Sequence, residues 1–254
     1  MGELRHFGLI GHPVAHSWSA QHFASKWAAL GLDDCRYTLH DLSDIQALPA
    51  LWDSRNWAGM NVTVPHKQSV MALLDGLSPE AEAIGAVNTI SFGPQGRVGH
   101  NTDAVGFRRA IAPFLEGRHD RALVLGTGGS AAAVVHVLTQ IGISVTRVSR
   151  SPHGKGDVTY TDLKREGVAA VPLLVNCTPV GMHPNTSDMP PFPEGALDGL
   201  GEGHLIIDLI YNPEETAFLK RASLLGARTL NGISMLQLQA DAAWEIWTGA
   251  AGRD

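Results

Sequence analysis

A short segment at residues 61–67, NVTVPHK, combines a strand-like pattern with side chains that are suited to chemistry. Asn61 and Thr63 alternate with valines, so they should share one face of a strand. Pro65 should end that strand because it cannot donate to the ladder, and Lys67 follows two residues later. An amide and a hydroxyl can hydrogen-bond a ligand, and a lysine can act as a general acid or base. The segment therefore predicts a ligand site that contains one proton-transferring residue.

Three further segments, HPVAHSWS, AVNT and NTD, place polar side chains where predicted strands end. They contribute the hydroxyls of Ser17 and Ser19, the amide of Asn88 and the carboxylate of Asp103. In open α/β sheets, ligands bind outside the carboxyl ends of the strands, so we expect all these groups to face one crevice. Such a set of groups suits a small polyhydroxylated acid.

Each of these residues also has a purely structural interpretation. Ser19 and Asp103 could each cap a helix that begins at the following residue. Asn88 could be a turn residue, and Lys67 could be an ordinary surface lysine. Pro65 favours a helix start, and a cation in that first turn would oppose the helix dipole at a cost of about 0.3–1 kcal/mol.

Two histidines in the first polar segment, His12 and His16, have the HxxxH spacing of some metal ligands. Pro13 disfavours a helix there, so the two rings need not share a face. No cysteine or second carboxylate stands nearby in the sequence to complete a ligand set. We therefore predict no metal site.

A glycine-rich turn, GTGGSA at 126–131, fits the pattern G-x-G-x-x-A between a predicted strand and a predicted helix. Glycines in that context let the backbone approach a diphosphate, whose charge lies at the helix N-terminus. The predicted cradle consists of Gly126, Thr127, Gly128, Gly129 and Ser130. The alternative is a tight turn without a ligand.

The end of the next strand, VSRS at 148–151, indicates which dinucleotide binds. NAD-specific sites place an acidic residue there for the ribose 2′-hydroxyl, and this sequence has none. Arg150 suits a 2′-phosphate in charge and in geometry, so we predict NADP. The alternative is that Arg150 is a solvated loop residue. Asp157 lies too far along the chain to replace the missing acid.

Short apolar runs alternate with helical patterns along the chain, which predicts an α/β protein with a mostly parallel first sheet. We expect a hairpin that turns at residues 93–96, a helix at 66–75 and a βαβ unit at 121–151. The predicted domains are residues 1–103 with 229–254 for the substrate and residues 104–228 for the dinucleotide. The last helix should pack on the first domain.

Composition excludes several classes of partner. The chain of 254 residues has a net charge of -6 and no long cluster of Lys and Arg, which disfavours nucleic acid and anionic membranes. No apolar run is long enough for a membrane span, and we expect a cytoplasmic protein. Cys35 and Cys177 match no CxxC spacing and read as structural thiols of a reducing compartment.

Eight motifs in order resemble those of the shikimate dehydrogenase family: GLIGHPVAHSWS, GMNVTVPHK, IGAVNTI, NTDAVGF, GTGGSA, NCTPVGM, DLIYNP and NGISMLQLQADAAWEIWTG. The resemblance covers nearly the whole chain. It implies reduction of 3-dehydroshikimate to shikimate with NADPH in aromatic amino-acid (chorismate) biosynthesis. It also implies a substrate domain and a Rossmann-type NADP domain with a cleft between them, in a monomer or a homodimer.

The resemblance also implies individual roles. Lys67 and Asp103 would be the catalytic pair, and Ser17 and Ser19 would hold the substrate carboxylate. Further contacts to the substrate would come from Asn61, Thr63, Asn88, Tyr211 and Gln239. The cofactor would lie on the glycine turn, with its 2′-phosphate on Ser149, Arg150 and Ser151. Its nicotinamide end would be lined by Thr178, Ile210, Gly232 and Met235.

The sequence departs from the family pattern at two places. Trp18 and Ala20 stand where the family usually has Leu and Pro, which puts the shape of the serine loop in question. The cofactor segment reads SRS instead of Asn-Arg-Thr, and the next basic residue is Lys155. Alternatives are a quinate/shikimate dehydrogenase that uses NAD, a non-catalytic ligand sensor, or another two-domain NADP enzyme such as a folate-type dehydrogenase.

Overall fold

A computed structural model describes residues 3–15, 17–151 and 157–249. The chain forms two compact units. The first comprises Met1–Thr102 with Ala240–Asp254, and the second comprises Asp103–Gln239. Each unit is built around its own sheet.

The first unit contains a six-stranded sheet in the order β2-β1-β3-β5-β6-β4. Its strands are β1 Arg5–Gly11, β2 Cys35–Asp41, β3 Trp57–Val62, β4 Gly76–Leu77, β5 Thr89–Gly93 and β6 Gly96–His100. Strand β1 pairs in parallel with β2 and β3, as predicted. The predicted hairpin is confirmed as β5–β6, and it joins β3 in antiparallel pairing, whereas β4 runs parallel to β6.

Short helices cover this sheet. They are α1 Ser19–Leu30, α2 Leu48–Trp52 and α3 Pro79–Ile84, with 3₁₀ turns at Ile45–Ala47 and Ser69–Leu73. The predicted helix at 66–75 is wrong, since only the 3₁₀ turn forms there. An α-helix would direct the Lys67 carbonyl to the amide of residue 71, but the amide of Val87 donates to it at 2.7 Å. The Met71 amide instead donates to Gln68.

An aromatic cluster fills one face of the first sheet. Phe7, Phe23 and Trp27 pack there with Trp244 and Trp247 from the last helix, α8 Ile233–Thr248. The Trp247 indole donates to the carbonyl of Ile90 at 3.0 Å. A Cβ on Gly59 would lie 2.4 Å from that indole, so only glycine lets the ring lie on the strand. The end of α8 thus packs on the first sheet, as predicted.

The second unit contains a five-stranded sheet, all parallel, in the order β11-β10-β9-β7-β8. Its strands are β7 Arg121–Leu125, β8 Ser144–Val148, β9 Leu173–Asn176, β10 Leu205–Asp208 and β11 Arg228–Leu230. Its other helices are α4 Thr102–Ile111, which begins at the unit boundary, α5 Gly129–Gln140, α6 Arg165–Ala169 and α7 Ala217–Leu224. The predicted βαβ unit is confirmed as β7-α5-β8.

The strand order reverses between β7 and β9, which is the topological switch point of a doubly wound sheet. Leu125 at the end of β7 pairs with Val148 on one side and with Asn176 on the other. The carboxyl ends of three strands therefore meet at the glycine turn. The prediction of an α/β fold with a Rossmann-type second unit is confirmed.

A helix that could cross a lipid bilayer does not occur in the part of the chain that the structure describes.

Candidate active site

The carboxyl ends of β1 and β3 are in close contact. A Cβ on Gly11 would lie 2.3 Å from the Thr63 methyl group, so glycine is required at the end of β1. The Thr63 amide donates to Ile10, and the carbonyl of Val64 accepts from His12, both at 2.9 Å. Strand β3 ends at Val62, so the prediction that Thr63 belongs to the strand is wrong. Thr63 is instead held on the end of β1.

Lys67 lies in a tight turn just after β3, and its side chain is half-buried. The preceding residue, His66, is buried and its ring donates to the carbonyl of Leu42 at 2.6 Å. The Lys67 carbonyl accepts from the amide of Val87. The backbone of Lys67 is therefore held by two neighbouring segments. The expected conflict with a helix dipole does not arise, because no α-helix begins here.

Asn61 is buried, and both the oxygen and the nitrogen of its side-chain amide hydrogen-bond within the protein. Its Oδ1 accepts from the Tyr37 hydroxyl at 2.7 Å. Its Nδ2 donates to the carbonyl of Asn88 at 3.3 Å and to the hydroxyl of Thr89 at 3.2 Å. Tyr37 and Thr89 were not predicted as site residues. The fold brings Asn61 and Asn88 together at the end of β3, as the sequence predicts.

Asn88 caps helix α4 with its side chain. Its Oδ1 accepts from the Thr102 amide at 2.7 Å, and its Nδ2 donates to the Thr102 hydroxyl at 2.9 Å. Helix α4 consequently begins at Thr102. Asp103 is buried in the first turn, so the alternative that it precedes the helix as its N-cap is wrong. A carboxylate in that turn still complements the helix dipole.

Ser17 and Ser19 lie at the start of α1, and both are half-buried. The N-cap position is Trp18, so the alternative that Ser19 is the cap is wrong. The Ser17 hydroxyl accepts from the Ser19 amide at 3.3 Å. Burial raises the pKa of Tyr37, so its hydroxyl stays protonated. The indole of Trp18, which lies between Ser17 and Ser19, stacks on the ring of His22 with ring centres 4.3 Å apart.

The glycine turn at 126–128 fits a dinucleotide diphosphate. Gly126 has a φ of 107°, and a Cβ there would lie 3.2 Å from the Thr178 methyl group. A Cβ at Gly128, by contrast, would have no atom of another described residue within 4 Å, its chain neighbours apart. Gly128 is the N-cap of α5 and has no side chain that would compete for the amides of the first turn. Those amides and the helix dipole favour an anion.

The predicted 2′-phosphate contacts follow β8 at the edge of the same sheet. Arg150 is exposed, and Ser149 hydrogen-bonds both the amide and the carbonyl of Ser151 at 3.2 Å. The carboxylate of Asp157 accepts from Arg147 at 2.7 Å. Lys155 lies outside the described residues.

A buried polar network at the ends of β9 and β10 was not predicted. Asn176 accepts from the amide and the hydroxyl of Thr178 at 3.0 and 2.7 Å. The Asn176 amide donates to Asp208 at 3.0 Å. Asp208 also accepts from Ile210 at 3.1 Å and from Thr216 at 2.8 Å, and burial raises its pKa to about 6. The sequence signal for this network is the polar residue that ends each of the apolar runs LLVN and LIID, which form β9 and β10.

Other predicted residues of the second unit lie around the loop after β10. A Cβ on Gly232 would lie 2.0 Å from the carbonyl of Leu209, so glycine is required there. Met235 is buried, and Tyr211 is half-buried. Gln239 is buried, and its amide donates to Leu236 at 2.9 Å.

The described residues contain no group of three or more His, Cys, Asp or Glu side chains arranged to hold a metal ion. His12 pairs with Asp41 at 2.5 Å. His16 lies outside the described residues.

Known proteins resemble the chain over almost its whole length. Residues 9–90 match the model of the shikimate dehydrogenase substrate binding domain. The shikimate dehydrogenase (NADP(+)) of Desulforamulus reducens is 37% identical, with 98% of this chain and 91% of that protein covered. The protein from Shouchella clausii with the same name is also 37% identical, over 96% of this chain and 93% of its own.

A solved structure agrees with these relatives. Shikimate 5-dehydrogenase from Thermus thermophilus, in complex with NADP(H) and shikimate, has a TM-score of 0.85 and 35% identity, and the match covers 97% of this chain and 94% of that one. Quinate dehydrogenase from Corynebacterium glutamicum, in complex with NAD, has a TM-score of 0.80 and 29% identity, with 98% and 95% covered. The extent and identity of these matches show that the chain belongs to the shikimate dehydrogenase family.

Proposed function

We propose that this protein is an NADP-dependent shikimate dehydrogenase that interconverts 3-dehydroshikimate and shikimate in aromatic amino-acid biosynthesis. The observation that carries the proposal is its near-full-length similarity to the Thermus enzyme that was crystallised with NADP(H) and shikimate. The relatives named shikimate dehydrogenase (NADP(+)) support the same cofactor. Cys35 and Cys177 are both thiols, which is compatible with the proposed cytoplasmic location. A monomer or a homodimer is proposed.

The proposed substrate domain comprises residues 1–103 and 229–254. Ser17 and Ser19 would hold the substrate carboxylate through their hydroxyls. The remaining contacts are proposed for Asn61, Thr63, Asn88, Tyr211 and Gln239. Support comes from the hydrogen bonds that already link Asn61 and Asn88 to one polar cluster, since such links hold the side chains in fixed orientations.

The proposed NADP domain comprises residues 104–228. The open space at Gly128 and the uncapped amides of α5 support a diphosphate site on residues 126–130. The exposed guanidinium of Arg150, flanked by Ser149 and Ser151, would bind the 2′-phosphate. Thr178, Ile210, Gly232 and Met235 would line the nicotinamide end.

NADPH held by the residues of the NADP domain would supply a hydride to the ring ketone of the substrate. The oxygen of that ketone gains negative charge as it becomes a hydroxyl, so it needs a proton. Lys67 would donate this proton, or stabilise the charge until water donates it, and would act as the base in the opposite direction. Asp103 would orient the substrate hydroxyl and Lys67.

A quinate or NAD-linked activity is the second candidate, because the Corynebacterium relative is a quinate dehydrogenase in complex with NAD. Initial rates with shikimate or quinate, each with NADP or NAD, separate the two. We expect kcat/KM to be highest for shikimate with NADP and at least about tenfold lower in the other combinations, a difference of about 1.4 kcal/mol. Equal or better use of quinate or NAD would favour the second candidate.

Two arginine variants sharpen this comparison. Arg150→Gln should lower kcat/KM for NADP and leave that for NAD unchanged, because only NADP carries the 2′-phosphate. Arg165→Gln, at an exposed position in α6, is the matched control and should change neither value.

A further inference from the structure

Tyr37 contacts a residue that the proposed function assigns to the substrate. Its hydroxyl donates to Oδ1 of Asn61 in β3 at 2.7 Å. Tyr37 lies on β2, which pairs with β1 and not with β3. Its side chain therefore reaches across the intervening strand to β3.

The same hydrogen bond determines which way the Asn61 amide points. An amide has one acceptor oxygen and one donor nitrogen, and the Tyr37 hydroxyl donates to the oxygen. The nitrogen then faces the Asn88 carbonyl at 3.3 Å and the Thr89 hydroxyl at 3.2 Å. The Thr89 hydroxyl donates in turn to Oδ1 of Asn88 at 3.2 Å. The orientation of Asn61 is thus coupled to that of Asn88.

This chain of contacts continues to the start of α4. Asn88 accepts from the amide of Thr102, and the hydroxyls of Thr89 and Thr102 lie 3.1 Å apart. One hydrogen-bonded network therefore runs from Tyr37 through Asn61 and Asn88 to Thr102. Buried polar networks of this kind favour one arrangement, since an unpaired member is costly.

We propose that Tyr37 is a positioning residue of the substrate site, which orients the Asn61 amide for the ligand. The inference rests on the proposed function, because it takes from there the substrate contact of Asn61. Tyr37 itself need not touch the substrate. Asn61 uses both amide hydrogens within the protein, so it meets a ligand as an acceptor.

The ring of Tyr37 has a separate role in packing. It stacks on Phe23 with ring centres 4.9 Å apart and lies 6.3 Å from Trp27. Tyr37→Phe keeps this ring and removes only the hydroxyl. The variant therefore separates the hydrogen bonds from the packing.

Tyr37→Phe should raise KM for shikimate by roughly 5- to 50-fold, the range expected when a buried acceptor loses its partner. KM for NADP should stay within about twofold, since no cofactor contact changes. Tyr160→Phe is the matched control, because Tyr160 is also a buried tyrosine but lies in the second unit. It should leave KM for shikimate unchanged.

A double-mutant cycle with Asn61→Ala tests whether Tyr37 acts through Asn61. In the Asn61→Ala background, Tyr37→Phe should add no more than about a twofold increase in KM for shikimate. The same increase in both backgrounds would overturn the inference. Thr89→Val, which keeps the shape but loses the hydroxyl next to Asn61, should also raise KM for shikimate selectively, and it serves if Tyr37→Phe does not fold.

The outcomes distinguish the inference from the function beneath it. If the wild-type protein does not act on shikimate, the proposed function and the inference both fall. If the wild type is active and both Tyr37→Phe and Thr89→Val keep the wild-type KM for shikimate, only the inference falls. A rise in KM for shikimate and NADP alike would assign Tyr37 a general structural role and would also overturn it.

Discussion

At the scale of single residues, Lys67 depends on backbone contacts that are distant in sequence. The amide of Val87 donates to its carbonyl, and the ring of its neighbour His66 donates to Leu42. These contacts hold the turn after β3 without an α-helix. They fix the backbone of Lys67 in the turn that follows the carboxyl end of β3, where the substrate site is proposed.

Lys67→Ala should lower kcat for shikimate oxidation by roughly 10²–10⁴, the usual contribution of a general acid or base. KM for shikimate should change less, because the hydroxyl and amide contacts are retained. Steady-state kinetics with both substrates varied gives the two values. Lys220→Ala, at an exposed position in α7, is the control. A Lys67→Ala protein with wild-type kcat would remove Lys67 from the chemistry.

The sequence predicts the polar residues of this region but not their partners. Asn61 and Asn88 stand out because they interrupt apolar runs. The use of both Asn61 donors by Asn88 and Thr89 follows from the antiparallel register in which Asn61 pairs with Thr89. This register joins β3 and β5, whose paired residues lie 28 positions apart in sequence, so local patterns do not reveal it. Tyr37 was missed for the same reason.

At the scale of elements, the ends of β9 and β10 share one buried carboxylate. Asp208 accepts from Asn176 at the end of β9, from Ile210 in the loop after β10, and from Thr216, which caps α7. Three connections thus depend on one side chain. Its raised pKa, about 6, means that burial disfavours the charged form more than these hydrogen bonds favour it.

This raised pKa predicts how stability depends on pH. The usual pKa of an aspartate is 3.8, so folding makes Asp208 bind its proton more tightly. The free energy of unfolding should therefore fall as pH rises from about 4 to about 6, by up to about 3 kcal/mol for a shift of about two units. The Asp208→Asn variant has no titrating carboxyl group at this position. The wild type should therefore lose stability relative to the variant as pH rises from about 4 to about 6.

Denaturant unfolding of both proteins at pH 4 and pH 7 measures this difference. Asp188→Asn, at an exposed position of the same unit, is the control and should show no comparable change. A difference between wild type and Asp208→Asn that is equal at both pH values would show that Asp208 has no raised pKa.

Periodicity decided which elements were predictable. The β7-α5-β8 unit was found because a continuous apolar strand, a glycine turn and an apolar helix each carry a strong local pattern. Strand β4, at Gly76–Leu77, has only two residues and no pattern of its own. The expected helix at 66–75 failed because tertiary contacts of Lys67 and His66 outweigh local propensity.

At the scale of the whole molecule, two α/β units were predictable because the βα alternation starts twice. The packing of the C-terminal helix on the first sheet depends on Trp247, which reaches Ile90 across 157 positions in sequence. Gly59 makes room for that indole. Local patterns also do not predict the strand order β11-β10-β9-β7-β8, although the right-handed crossover of βαβ units limits the possible orders.

The central claim is that this molecule transfers a hydride between NADPH and a ring carbon of shikimate. The most direct test is to incubate the purified protein with 3-dehydroshikimate and NADPH that carries deuterium on one face of the nicotinamide C4, and to determine the mass of the shikimate formed. The account predicts that deuterium on one face is transferred to shikimate and that deuterium on the opposite face is not. Shikimate without deuterium from both labelled forms of NADPH, or no shikimate at all, would contradict this prediction.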